Sequence, residues 1–119
     1  MKSRAPLLEL TLFVDDLDSS VAFFRALGFH VERWPGAEST TADVTLGSLD
    51  APLVQLFQAN ETHPATRCQL GFQVVDLSAV TAALDEAGMR WSPGGTRIRT
   101  WDPDGNTVHV SPQPAVASE

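Results

Sequence analysis

The chain has 119 residues, of which 43% are hydrophobic, so it is long enough for one domain with a real core. Its formal net charge is -7 with only eight Lys and Arg residues, which argues against a DNA or RNA partner, because a phosphate backbone is bound by clustered cationic side chains. No apolar run approaches the roughly 20 residues that cross a bilayer and no signal-type segment follows Met1, so we expect a cytoplasmic protein without a membrane partner.

The first predicted elements are a strand and a helix. Residues 7–14 alternate with the period of a half-buried strand, which puts Leu8, Leu10, Leu12 and Val14 on a core face and Glu9, Thr11 and Phe13 on the opposite face. Asp16 and Asp18 then offer N-cap chemistry, apolar residues recur at helical spacing, and Gly28 is suited to a left-handed C-terminal position. We therefore predict a short amphipathic helix that ends at Gly28.

The rest of the chain predicts three strands, a linker and a second set of elements. Strands are expected at 29–34, 42–46 and 52–58, with turns at Pro35-Gly36 and at 47–50, and a linker covers 59–67. A strand restarts at Cys68, followed by a helix at 78–87 and by strands at 89–92, 97–101 and 107–111. Cys68 has no second cysteine to pair with, and we interpret it as a core thiol without a catalytic role.

The two halves of the chain are a tandem repeat. A shift of sixty residues superimposes five identical pairs, namely Val14/Val74, Asp16/Asp76, Leu17/Leu77, Ala22/Ala82 and Gly28/Gly88. Each half should therefore build the same βαβββ module, the first at 7–58 and the second at 68–111, within a single α+β domain.

Each helix must cover the apolar face of its sheet, which leaves the opposite face uncovered. The uncovered faces carry amides, one acid, one imidazole and aromatic rings, a mixture that is typical of a ligand pocket: Glu9, Thr11, Phe13, Gln55, Phe57, Gln69, Gln73 and His109. A solvated sheet face is the alternative. Leu10 and Val108, the alternation neighbours of Glu9 and His109, are expected to stabilise the core.

Two arginines and a tryptophan occupy alternate positions on one predicted strand. Arg97, Arg99 and Trp101 share one side of it, and if that side faces the pocket it favours an anionic or carboxylate-bearing ligand. Two solvated arginines on an edge strand are the alternative. Trp34, Trp91 and Trp101 offer stacking surfaces, or else ordinary core or interface packing.

Two motifs and the repeat together resemble the vicinal-oxygen-chelate superfamily, which comprises glyoxalases, bleomycin resistance proteins and extradiol dioxygenases. The motifs are the opening strand, Asp-Leu, helix and Leu-Gly-Phe over residues 14–29, and the closing Asp-Pro-Asp-Gly-Asn-Thr-Val-His-Val over residues 102–110. The resemblance implies two βαβββ modules that form a curved mixed-sheet cup, completed as a homodimer in which modules of different chains pair. It places a small-molecule ligand or a metal in that cup.

The resemblance also implies where metal ligands would lie. The corresponding positions in this sequence are Glu9, Gln55, Gln69 and His109, which offer one carboxylate, one imidazole and two neutral amides. Enzyme sites usually gather more charge and more imidazole, so no cofactor is favoured, although Ni, Zn, Mn or Fe remains an alternative.

Two hypotheses of different classes follow from the resemblance. The closing motif is similar to that of the bleomycin-resistance branch, which implies metal-free sequestration of an antibiotic-type molecule. The alternative is a metal-dependent lyase, isomerase or dioxygenase, in which Glu9 would shuttle a proton.

Overall fold

The computed structural model describes residues 7–34, 41–46 and 52–113. Their elements, in chain order, are β1 Glu9–Val14, α1 Leu17–Ala26, β2 His30–Trp34, β3 Thr41–Thr45, β4 Leu53–Gln58, β5 Gln69–Val74, α2 Leu77–Glu86, β6 Trp91–Gly94, β7 Arg97–Trp101 and β8 Thr107–Pro112. This order confirms the predicted repeat of βαβββ modules. The turns predicted at Pro35-Gly36 and 47–50 lie outside the described residues. None of the helices described is long and apolar enough to cross a membrane.

The two modules have the same sheet topology. The first sheet has the order β1-β4-β3-β2 and the second the order β5-β8-β7-β6. In each sheet, the first and fourth strands of the module run parallel, and the remaining pairs are antiparallel. A parallel pair needs a crossover between its strands, and the helix and two strands in between supply it.

The helix ends explain why the repeat preserves particular residues. Asp16 accepts a hydrogen bond from the Asp18 N–H, and Asp76 accepts one from the Ala79 N–H, so both helices begin with a carboxylate cap. Gly28 and Gly88 follow the helices with φ of +96° and +72°, which confirms the predicted left-handed position after each helix.

The alternation of β1 is as predicted, but its buried residues begin further along the chain than predicted. Leu12 and Val14 are buried, whereas Leu8 is 77% exposed, so its assignment to the core was wrong. The reason is that β1 begins at Glu9 and Leu8 lies outside it. Leu10 is only half-buried, while Val108 is fully buried as expected. The strand predicted at 89–92 is displaced and occupies 91–94.

Both helices belong to one core that the modules share. The Phe24 ring of α1 lies edge-on against Phe72 of β5, with centroids 6.1 Å apart, and Phe29 lies 5.1 Å from the same ring. The buried residues of both sheets form a single hydrophobic cluster with Val80 and Leu84 of α2. Since the apolar face of each sheet contributes to this common core, each uncovered face lies on the side of its sheet away from the core.

Hydrogen bonds of the closing motif hold the linker against both modules. Thr66 exchanges two hydrogen bonds with Phe13, one through its backbone N–H and one through its hydroxyl, each 2.8 Å long. Asn106 donates to the Thr66 carbonyl and accepts from the Cys68 N–H, both at 2.9 Å, and Asp102 accepts the Asn106 N–H. The Asp-Pro-Asp-Gly-Asn motif therefore holds the linker against the outer strand of the first module.

Candidate functional site

The uncovered face of the first sheet, which we call face 1, is acidic. Side chains two residues apart along a strand share a face, and the strand pairing aligns Thr11, Gln55, Asp43 and Glu32 in one row across the sheet. Glu9 lies on the same side of β1. Three carboxylates therefore belong to this face.

Face 1 also carries a group of aromatic side chains. The Phe13 and Phe57 rings meet at 62° with centroids 5.7 Å apart, and Trp34, 49% exposed, donates its indole N–H to Asp43 at 2.7 Å. Phe13 and Phe57 are directly opposite each other on β1 and β4. An exposed indole and two half-buried phenylalanine rings beside carboxylates suit a cationic aromatic molecule.

The sequence analysis missed His63, which lies over this group. Its ring stacks on Phe13 at 4.7 Å with an interplanar angle of 10°. Asn60 holds the turn through its side chain, which accepts the His63 N–H at 2.8 Å. The linker shows no periodicity that would place His63, and only the pairing of Thr66 with Phe13 brings it to face 1.

The uncovered face of the second sheet, which we call face 2, is basic. Its central row pairs Gly71 with His109 and His109 with Arg99, and Arg97 lies on the same side of β7. A Cβ atom built on Gly71 would have no other atom within 4 Å, so open space lies beside the imidazole. Gln69 and Gln73 flank Gly71 on the same side of β5, and both are exposed.

The charges of face 2 act on its histidine. Desolvation lowers the pKa of His109 below its ordinary value, and the guanidinium groups of Arg97 and Arg99 lower it further. Among the described residues the one salt bridge joins Arg33 and Asp18, so neither Arg97 nor Arg99 has a carboxylate partner there. His109 is consequently favoured as a neutral imidazole in a positive field.

Comparisons with known proteins agree with this architecture. The model of the bleomycin resistance protein-like N-terminal family matches residues 7–47. The match covers 41 of the 119 residues, so it shows a resemblance of the first module to that family. A search of the curated proteins gave no significant match.

Solved structures share the fold of this chain at low sequence identity. TnmS3, an antibiotic binding protein from Streptomyces sp. CB03234, is 22% identical with a TM-score of 0.69, and the alignment covers 97% of this chain and 100% of that one. An integron cassette protein from V. cholerae is 20% identical with a TM-score of 0.69, covering 96% and 99%. A lactoylglutathione lyase from Agrobacterium tumefaciens is 20% identical with a TM-score of 0.63, covering 94% and 96%. At such identities these likenesses establish the fold and leave the function to the site.

The four positions that correspond to superfamily metal ligands are divided between the faces. Glu9 and Gln55 lie on face 1, and Gln69 and His109 on face 2, so the four positions belong to two separate sheets. Among the described residues no group of three or more His, Cys, Asp or Glu side chains is placed to hold a metal ion. The donor set fits a divalent cation poorly, because two are neutral amides and His109 lies in the field of two arginines.

Other residues of chemical interest lie away from the faces or at their margins. Trp91 donates its indole N–H to Asp85 at 2.8 Å, and Trp101 lies 4.9 Å from the Arg90 guanidinium. Burial raises the pKa of the Cys68 thiol, which keeps it protonated and unreactive. A cleft of about 530 Å³ lies between the modules on the helix side, and of the predicted pocket residues it includes Gln73.

Proposed function

We propose that this protein binds a small antibiotic-type organic molecule and sequesters it without chemical change. The observation that carries the proposal is the composition of faces 1 and 2, where aromatic rings that are at least partly accessible and isolated polar groups replace the apolar residues on the other side of each sheet. The match to the bleomycin resistance protein-like N-terminal family and the likeness to an antibiotic binding protein support the same class of function.

The proposed binding site is closed by a second copy of the chain. Within one chain the two faces turn away from their shared core, so a pocket with both faces in its walls requires face 1 of one protomer and face 2 of its partner. The opposite charges of the two faces favour this pairing over the pairing of like faces. Two such pockets would form in a homodimer with twofold symmetry.

The test is a titration of metal-stripped protein with bleomycin, followed by calorimetry. We expect saturable binding with one ligand per chain, no chemical change in the recovered drug, and sedimentation at about twice 12.8 kDa. Phe57→Ala should weaken binding, because it removes a ring from face 1. Val75→Ala is the control, since it removes an apolar side chain that is 83% exposed outside both faces.

The main competing function is metal-dependent catalysis, and an enzyme, the lactoylglutathione lyase, shares the fold. Stoichiometric uptake of Ni, Zn, Mn or Fe, with turnover of a vicinal-oxygen substrate only in the metal-loaded protein, would contradict the sequestration proposal. A strictly monomeric protein that binds the drug with full affinity would contradict the proposed pairing of faces.

A further inference from the structure

Face 2 carries two guanidinium groups that no carboxylate in the described part of the chain neutralises. Arg97 and Arg99 are two residues apart on β7, so their Cα atoms are separated by roughly 6.6 Å and their long side chains leave the same side of the strand. Both are exposed, and among the described residues no carboxylate lies within salt-bridge distance of either. Two neighbouring cations without a counterion repel each other, and a bound anion would relieve this repulsion.

The neighbours of the two arginines are neutral donors and open space. His109 lies directly across from Arg99, and Gly71 lies directly across from His109 without a side chain to fill the gap. Gln69 and Gln73 extend the row with amide groups that can donate hydrogen bonds. Trp101 continues the side of β7 that carries the arginines, and its half-buried ring has the Arg90 guanidinium 4.9 Å from its centroid.

We propose that face 2 binds the carboxylate of an aromatic acid, with Arg97 and Arg99 contacting the carboxylate, His109 donating an N–H and Trp101 packing against the ring. Guanidinium groups bind carboxylates through charge-assisted hydrogen bonds, which are stronger than neutral ones. This assignment rests on the proposed function in one respect, namely that the uncovered faces bind a small molecule.

Face 1 cannot substitute for face 2 in this role. Its row of Glu32 and Asp43, with Glu9 on the same side of the sheet, repels a carboxylate and attracts a cation. A sequestered molecule that contacts both faces would therefore carry an anionic group at one end and a cationic or neutral aromatic group at the other.

The experiment compares three probes that share one ring system: 2-naphthoate, 2-naphthamide and 2-naphthylmethylammonium. Tryptophan fluorescence of the full chain reports binding of each. We expect 2-naphthoate to bind about tenfold more tightly than 2-naphthamide, and the Arg97→Gln/Arg99→Gln double variant to remove this advantage while it leaves 2-naphthamide binding within about twofold.

Arg33→Gln is the control, because the same type of substitution removes one positive charge from β2 of the first sheet, on the side opposite face 1, where Arg33 pairs with Asp18. It should retain the preference for 2-naphthoate. Thermal unfolding of each variant verifies that the chain is folded under the conditions of the titration.

Two results would overturn the inference. Equal affinities for the acid and the amide would show that ring burial alone drives binding, which contradicts the carboxylate site but leaves sequestration of a neutral molecule intact. An equal loss of 2-naphthoate affinity in the double variant and in Arg33→Gln would show a nonspecific effect of net charge. Failure of bleomycin to bind in the separate calorimetric test would instead count against the proposed function.

Discussion

The two modules have the same backbone plan and opposite surfaces. Asp16 and Asp76 cap equivalent helices, and Gly28 and Gly88 follow them with positive φ. On the uncovered sides, face 1 carries carboxylates and phenylalanines where face 2 carries arginines, a histidine and a glycine. The repeat therefore retains the residues that determine helix ends and sheet cores, whereas the residues of the two uncovered faces differ between the modules.

The largest expected effect tests whether the modules are equivalent in stability. Leu56 of the first sheet and Leu84 of α2 are both fully buried, so Leu56→Ala and Leu84→Ala should each lower the free energy of unfolding by about 2–5 kcal/mol. Because the modules share one core, each variant should unfold in a single transition, measured by denaturant titration with circular dichroism and fluorescence. Two separate transitions would mean that the modules are independent.

The helix-ending glycines should show a smaller and equal effect. Gly28→Val and Gly88→Val force a β-branched residue into the left-handed region, which should cost about 1 kcal/mol or more in each module. Gly71→Ala is the control, since Gly71 has no positive φ and its substitution meets no neighbouring atom. Unchanged midpoints of thermal unfolding in both valine variants would contradict the structural role of the repeat.

The uncovered faces should contribute little to folding. Glu9→Gln and His109→Gln are expected to change the free energy of unfolding by less than about 0.5 kcal/mol, as is usual for surface substitutions, while ligand affinity changes. Leu10→Ala should cost more than either, but less than Leu56→Ala, because Leu10 is only half-buried. Chemical denaturation of the four variants gives this order, and a Glu9→Gln cost equal to that of Leu56→Ala would reverse the two faces of β1.

The smallest expected effect is a dependence of stability on pH that comes from His109 on face 2. The pKa of His109 is lower in the folded chain than its ordinary value of about 6.5, so below that pH the unfolded chain takes up the proton first. The contribution of His109 to stability is therefore fully present above this pH and declines as the pH falls toward the folded pKa. Melting temperatures measured across this range should fall less steeply in His109→Gln, and parallel curves would show that neither desolvation nor the two arginines lowers the pKa of His109.

Periodicity and capping were sufficient to predict the fold, since alternation in β1 and the Asp and Gly residues at the helix ends are local signals. Leu8 shows the limit of alternation, because a pattern does not reveal where hydrogen bonding to the next strand begins. The position of the two faces relative to the shared core depends on contacts between modules, such as Phe24 with Phe72, and no local pattern encodes these contacts. His63 reached face 1 through the pairing of Thr66 with Phe13, which is equally nonlocal.

The central claim is that one binding site combines face 1 of one chain with face 2 of its partner. Phe57→Asp should disable face 1 by placing a charge among its rings, and Gly71→Trp should block face 2 by filling the space beside His109. Each variant alone is expected to dimerise without binding bleomycin. When equal amounts are refolded together, half of the dimers are mixed and each of these has one intact site, so about a quarter of the wild-type binding capacity should return. No recovery, with mixed dimers demonstrated by mass spectrometry, would contradict the claim.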